Sequence, residues 1–283
     1  MTKNIFAIAA QSTLANAVLP LLATETNIIT AGRHNCDVFC DVTERIDIPD
    51  HIDTVLNFSA SIGGSTDEEI TTALDTNVRG ILKICQAARK ANVSHIINIS
   101  STFALLDNED PQLSIYALTK RHADDLAKYY CHRNKIALTI LRPSRIYGDS
   151  YAFAKGQPFL YNLIDTARRG QDITLYGSGP ITRNYIHAHD LAEILKRIIE
   201  LQTTGIYTCA HPSDNTYSQI AQTAQYVFES GGKILQLENA PAPPSDTSNP
   251  DMPLYDIIKY RPEIDIETGI KRIKQTFQKG GST

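Results

Sequence analysis

Apolar positions along the chain follow two rhythms. Short unbroken runs read as buried strands: Asn4 to Ala9, Asn27 to Thr30, Asp53 to Ala60, His95 to Thr102, Ile136 to Leu141 and Gly205 to Thr208. Longer stretches with spaced apolar positions read as helices, notably Thr13 to Ala23, the amphipathic segment Asp67 to Ala91, and Ser218 to about Glu229. The opening is therefore strand, turn, helix, and strands and helices go on alternating behind it. A strand-like piece, Asp37 to Cys40, starts only six residues after Thr30. That gap is too short for a parallel crossover of a dozen or so residues, so no helix is expected there. Late in the chain a proline-rich stretch from Ala240 to Pro253 is expected to cross in extended, mobile form, and a last helix begins near Tyr260 to Ile270. There are no internal repeats.

Composition changes this picture little. The 283 residues are 42% hydrophobic, enough for one large domain or two smaller ones sharing a seam. The formal net charge is −4 and no long basic run occurs, which argues against nucleic-acid or anionic-membrane partners. No apolar stretch reaches the roughly eighteen residues of a membrane span, and the N-terminus runs straight into a strand, so a cytoplasmic location is expected. The five cysteines are scattered, in keeping with reduced thiols. His187 and His189 alternate as on a strand but have no third ligand close by, so no metal site is expected.

The candidate chemistry lies at Tyr116 and Lys120. Four residues apart on a helix, they share a face about one turn apart, so an ammonium can lie near a phenol. A free phenol, with a pKa of roughly 10, is a poor base at neutral pH; a neighbouring positive charge lowers that value. The same spacing also suits a surface helix with an accidental pair. Upstream, the run His95-Ile96-Ile97-Asn98-Ile99 delivers Ser100, Ser101 and Thr102 to its C-terminal end, where ligands sit in open α/β sheets.

The order strand, Ser/Thr, Tyr-x-x-x-Lys resembles the extended branch of the short-chain dehydrogenase/reductase superfamily, the NAD(P)-dependent nucleotide-sugar epimerases, dehydratases and reductases. Leu141-Arg142-Pro143-Ser144-Arg145-Ile146-Tyr147-Gly148 resembles its Leu-Arg-Pro-x-x-x-Tyr-Gly, and Arg183-Asn184-Tyr185-Ile186-His187-Ala188-His189-Asp190-Leu191-Ala192 resembles its Arg-x-Phe/Tyr-x-His-Val-x-Asp-Leu/Val-Ala. Asp75-Thr76-Asn77-Val78-Arg79-Gly80 is similar to its Asn-Val-x-Gly. The resemblance implies an α/β fold, a Rossmann-type doubly wound parallel sheet with a smaller C-terminal substrate-binding lobe. Residues 1–150, rejoined by about 186–206, would bind the dinucleotide; 151–185 and 207–283 would form the lobe. It also implies a homodimer pairing helices near 78–91 and 115–132 as a four-helix bundle.

By the same resemblance Thr102, Tyr116 and Lys120 are catalytic, with Ser100 or Ser101 replacing Thr102 if the register shifts. The cofactor would meet Ala9, Gln11, Ser12, Thr13 and Leu14 in the first turn, Arg33, Asp41 and Val42 after the second and third strands, Phe58, Ser59 and Ala60 after the fourth, and Asn77, Lys120 and Pro143. Phe103, Arg145 and Arg183 would face the substrate, Arg183 contacting its diphosphate. Departures bear on the outcome. The three glycines of the family's phosphate turn are Ala9, Ser12 and Ala15 here, and each misfit is expected to cost about 1 kcal/mol or more. Leu105-Leu106-Asp107 replaces a Val-Tyr-Gly, and the short loop before Tyr116 removes part of a substrate-facing wall. Phe103-Ala104 stands where dehydratases carry an acidic pair, which favours epimerase or keto-reductase. Arg33, in place of an acidic residue, favours NADP over NAD. The competing expectation is a cofactor-degenerate, non-catalytic binding or regulatory protein on the same fold.

Overall fold

The computed structural model describes residues 2–241, 243–246 and 248–280. The chain divides into two compact units: residues 1–143, 192–208 and 253–259 in the first, and 144–191, 209–252 and 260–283 in the second. The first break falls at Pro143/Ser144, seven residues before the expected 150, and 253–259 returns to the first unit.

The first unit opens with β1 (Asn4–Ile8), α1 (Thr13–Leu22), β2 (Asn27–Gly32), β3 (Val38–Phe39) and β4 (Thr54–Asn57). A helical stretch follows as α2 (Asp67–Ala73), a π-helical segment Leu74–Arg79 and α3 (Gly80–Lys90). Then come β5 (His95–Ile99), a short 3-10 turn Thr102–Leu105, α4 (Ile115–Asn134) and β6 (Ala137–Pro143). Along the rest of the chain run β7 (Arg145–Tyr147), α5 (Pro158–Arg168), β8 (Ile173–Tyr176), β9 (Thr182–Arg183), β10 (Tyr185–His187), α6 (Ala188–Leu201) and β11 (Gly205–Cys209). The last elements are β12 (Asn215–Thr216), α7 (Tyr217–Phe228), β13 (Ile234–Leu237), α8 (Met252–Ile258) and α9 (Ile266–Gly280).

The main sheet has the order β11-β6-β5-β4-β1-β2-β3. Its ladders from β3 through β6 are all parallel. The chain builds outward from β1 to β2 and β3 on one side, then from β4 to β5 and β6 on the other. This is the doubly wound, Rossmann-type order, and its switch point lies between β1 and β4. The strands read as continuous apolar runs because a parallel sheet is covered on both faces: all five residues of β5 and all four of β4 are buried.

The β2–β3 connection corrects the sequence argument. β3 does run parallel to β2, pairing Ala31 with Val38 and Gly32 with Phe39, with no helix between them. A long crossover is needed to return the chain to the start of a full-length strand. Here β3 starts level with the last residues of β2, so the chain only steps sideways. The Asp37 carboxylate closes that step by accepting from Thr30 N at 2.8 Å and Thr30 Oγ1 at 2.7 Å.

Within the second unit, β7 pairs with β10, β9 with β12 and β8 with β13. Tyr147, fully buried, lies edge-on to His187 at 4.9 Å and to Tyr185 at 6.0 Å. Asp149 accepts two bonds from Arg272, Nε at 2.9 Å and Nη2 at 2.8 Å, and these together with His187 hold its carboxyl well below the usual range. The proline-rich crossing is tied down at residues 244–246. Thr182 N donates to Ser245 Oγ at 3.1 Å, and Asp246 N donates to Thr182 O at 2.9 Å. Ala242 and Thr247 of that crossing, and 281–283 of the expected lobe, lie outside the described residues. Among the described residues no helix is long and apolar enough to cross a membrane.

Candidate active site

Parallel register brings the strand ends to one level. Ile8 pairs with Asn57, Asn57 with Asn98 and Asn98 with Ile140. Asn57 and Asn98 are buried, and Asn57 Nδ2 donates to Asn98 Oδ1 at 2.8 Å. Asn57 Oδ1 then accepts from Ser59 N at 3.0 Å and Ser59 Oγ at 2.7 Å, which fixes the loop after β4. A polar rung at the end of an apolar sheet marks where strand burial stops and ligand chemistry can begin.

α4 starts at this level because Ser114 caps it, its Oγ accepting from Ala117 N at 3.3 Å. One face of α4 then carries Tyr116, Lys120 and Asp124, each a turn apart. The end of β5 meets that face residue by residue. Lys120 Nζ donates to Ile99 O at 2.9 Å and, more weakly, to Ser59 O at 3.5 Å. Ser100 Oγ donates to Asp124 Oδ2 at 3.0 Å, and Ser101 faces the Tyr116 phenol. Lys120 Nζ lies 5.9 Å from the centre of the Tyr116 ring.

Burial, not charge, dominates both groups. It pushes the Tyr116 phenol up to about 12, with the Ser101 hydroxyl pulling it back and Asp124 pushing it further. It pulls Lys120 down to about 8, with Asp124 holding it up. The sequence argument had Lys120 lowering the phenol; in the structure desolvation of the phenolate sets the direction, and the Ser101 hydroxyl is what opposes it.

The hydroxyl set against the phenol is Ser101, one residue before the expected Thr102. Two residues beyond the end of β5, Ser101 Oγ accepts from Phe103 N at 3.2 Å and caps the 3-10 turn that Thr102 opens. Phe103 packs edge-on to Tyr116, centroids 6.3 Å apart. Asn77 sits within the π-helical segment and is buried. Its amide accepts from Ser61 N at 2.8 Å and donates to Ser61 O at 2.8 Å and Thr119 Oγ1 at 2.9 Å, joining the loop after β4 to α4. Pro143 is buried at the end of β6.

At the first turn, Ala9 adopts φ 57, the left-handed conformation that favours glycine, and Ser12 N donates to Ala9 O at 3.0 Å. Ser12 then caps α1, its Oγ accepting from Ala15 N at 3.2 Å. Gln11, Thr13 and Leu14 make up this tight turn and helix start. The bend that a phosphate cradle requires is thus present despite the missing glycines, and the residues here fit a dinucleotide. Phe58 and Ser59 are buried at the switch point while Ala60 is exposed. Asp41 caps its own turn, accepting from Thr43 N and Oγ1 at 2.8 Å each; these bonds, then the charges of Arg33 and Lys83, hold its carboxyl low. Val42 is buried in the core. Arg33 is exposed just beyond β2.

Arg145 and Arg183 belong to the second unit. Arg145 Nε pairs with Asp246 Oδ2 at 2.9 Å. Arg183, only 4% exposed, donates from Nη1 to Pro244 O at 2.6 Å and stacks over Tyr217 at 4.9 Å. No group of three or more His, Cys, Asp or Glu side chains among the described residues is arranged to hold a metal ion. Sequence reasoning passed over Asn57, Asn98, Asp124 and Arg142. Signals existed for Asp124, which stands four residues after Lys120 on the same helical face, and for Arg142, which stands in the Leu-Arg-Pro motif; nothing local marks the two asparagines.

A doubly wound sheet with a left-handed first turn and a Tyr-x-x-x-Lys helix after β5 defines a Rossmann-type fold. The chain belongs to the NAD dependent epimerase/dehydratase family, whose profile matches residues 13–210. Protein CapI of Staphylococcus aureus is 25% identical over 171 residues, 56% of this chain and 50% of that protein. UDP-glucuronic acid decarboxylase 6 of Arabidopsis thaliana is 23% identical over 218 residues, 72% of this chain and 63% of that one. This chain thus spans less than two thirds of these two relatives. The dTDP-4-dehydro-6-deoxy-D-allose reductase of Streptomyces bikiniensis is 24% identical over 248 residues, 80% of this chain and 74% of that one. In fold the chain is similar to UDP-N-acetylglucosamine 4-epimerase from Methanobrevibacter ruminantium M1, with TM-score 0.81, 17% identity and 99% of each chain covered.

Proposed function

We propose that this protein is an NAD(P)-dependent epimerase or keto-reductase acting on a nucleotide-linked sugar, with Tyr116 as its acid/base. The observation that carries the reading is the placement of Tyr116 and Lys120 on one face of α4 against the hydroxyl-bearing end of β5. Family membership and the nucleotide-sugar substrates in the relatives' names support the substrate class. A bound nicotinamide supplies the hydride acceptor or donor. The turn from Ala9 to Leu14 holds the pyrophosphate at the N-terminus of α1, and Lys120 takes the nicotinamide ribose. Tyr116 passes a proton to or from the sugar oxygen, and Ser101 hydrogen-bonds the same oxygen in the role first given to Thr102. A phenol that keeps its proton at pH 7 is set to protonate the oxygen of a keto sugar, which favours the reductive direction for that first transfer. Phe103, Arg145 and Arg183 serve the substrate, Arg183 at its diphosphate.

Arg33 gives the cofactor preference. Its exposure just beyond β2, with no acidic residue at Ala31 or Gly32, supports a pairing with a 2′-phosphate, and NADPH is expected to bind more tightly than NADH. A charge-assisted contact of this kind is worth about 1.5 to 3 kcal/mol, roughly ten- to a hundredfold. Titrating both cofactors into wild type and Arg33→Ala tests this; a mutant with undiminished preference for NADPH removes the assignment. Tyr116→Phe is expected to abolish turnover while cofactor binding persists, and activity within about tenfold of wild type overturns the acid/base role. If neither cofactor binds at millimolar concentration, the chain is instead a cofactor-degenerate binding protein. A homodimer through α3 and α4 completes the proposal, and light scattering that returns a monomer rejects it.

A further inference from the structure

Asp124 has no part in the chemistry above, yet it is the most constrained ionisable group near it. It is 1% exposed, and both of its hydrogen bonds fall on one oxygen, Oδ2: Arg142 Nε donates at 2.8 Å and Ser100 Oγ at 3.0 Å. Oδ1 is buried with no hydrogen-bond partner among the described residues. A carboxylate held this way keeps part of its charge uncompensated inside the protein, where a nearby charge acts far more strongly than in water. One helical turn before it stands Lys120, whose ammonium is held by the carbonyls of Ile99 and Ser59, neutral acceptors that leave its charge unbalanced.

The end of β5 makes the arrangement stiff. Three consecutive residues, Ile99, Ser100 and Ser101, engage Lys120, Asp124 and Tyr116 on three successive turns of α4. We propose that Asp124, anchored by Ser100 and Arg142, is a positioning residue that keeps Lys120 cationic beside Tyr116. The ionisable groups around Lys120 are Tyr116 and Asp124 on its own helix and, through Asp124, Arg142 from β6; the loops after β4 and β5 present carbonyls and hydroxyls alone. Burial pulls Lys120 to about 8 even with Asp124 in place, and Asp124 is the one charge that holds it up. Without that carboxylate the lysine would be largely neutral at physiological pH, and a neutral amine neither steadies a developing phenolate nor offers three charged donors to a ribose. The last consequence rests on the function proposed above; the effect of Asp124 on Lys120 does not.

The test reads Lys120 directly. In protein labelled with 13C-lysine, the Lys120 side-chain resonance, identified by its loss in Lys120→Ala, is followed by NMR from about pH 6 to 11. Wild type is expected to titrate near 8 and Asp124→Asn about 1 pH unit or more lower, with Asp124→Glu returning toward wild type. Arg142→Gln, which removes the partner that keeps the Asp124 carboxyl ionised and in place, is expected to lower the midpoint as well. It supplies a second reading if Asp124→Asn does not fold. A residue that merely satisfies Arg142 would move neither midpoint, and an unmoved Lys120 in the folded variants overturns the proposal. NADPH titrations of the same proteins stand apart: absence of cofactor binding would remove the proposed function while leaving the lysine measurement valid.

Discussion

Ala9 bears the left-handed bend of the β1–α1 turn with a side chain that disfavours it, a strain of about 1–2 kcal/mol. A β-branched residue cannot take that conformation without a larger penalty, so Ala9→Val is expected to lose about 2 kcal/mol or more, seen as a lower urea midpoint. Ala9→Gly is expected to stay within about 1 kcal/mol of wild type, because relief of strain is offset by the added freedom of glycine in the unfolded chain. Equal tolerance of valine and glycine would mean that the turn is not left-handed. His95 is a second residue whose state is set by burial. Thr139 Oγ1 donates to Thr203 O, so His95 Nε2 donates to Thr139 Oγ1 at 2.7 Å, and Nδ1 is left buried without a hydrogen-bond partner among the described residues. Burial pulls its pKa down to about 4. The folded state therefore binds the proton less readily than the unfolded chain, where histidine titrates near 6.5. The stability that neutral His95 confers is complete above about pH 6.5 and is lost as pH falls toward 4, by about 3 kcal/mol. Urea midpoints measured across that window should fall steeply in wild type and less in His95→Gln; parallel slopes would show that other groups carry the acid sensitivity.

Between α2 and α3, the π-helical turn Leu74–Arg79 adds to what the pattern of apolar residues conveyed. The sequence showed one long amphipathic helix from 67 to 91, and the chain does stay helical from Asp67 to Lys90. A π turn keeps side chains near their helical faces, so periodicity hardly registers it, yet it is where Asn77 sits. Asn77→Ala strands the backbone N–H and C=O of Ser61 and removes the donor to Thr119 Oγ1, which keeps its own bond to Tyr116 O, and the expected loss is about 1–3 kcal/mol. Denaturant unfolding checks it; a loss under about 1 kcal/mol would mean that water replaces the amide. The elements of the candidate site were legible to a similar depth. Tyr116-x-x-x-Lys120 on a helix after a hydroxyl-ended strand could be read directly, since period and burial leave local traces. Ser101 rather than Thr102 could not, because the residue at which the 3-10 turn begins after β5 is set by a single hydrogen bond, Phe103 N to Ser101 Oγ.

The chain passes between its two units five times, so neither is a continuous piece of sequence. β11 lies beside β6 in the main sheet although more than sixty residues separate them. A fragment of residues 1–150, the domain that the sequence suggests, would leave the edge of β6 uncovered and is expected to aggregate rather than fold. Soluble expression and circular dichroism decide it, and a soluble, cooperatively unfolding fragment would contradict the topology. The sequence by itself determined the strands of the parallel sheet, because burial on both faces writes unbroken apolar runs, and it determined the Tyr116–Lys120 pairing, because helical spacing is local. Only the tertiary structure decided which hydroxyl meets the phenol, that Asp124 stands behind the lysine, and that Arg145 and Arg183 rest on Asp246 and Pro244. It also decided the charge states at the site. Desolvation depends on everything packed around a group, and those neighbours come from β4, β5 and β6, segments that no local stretch of sequence brings together.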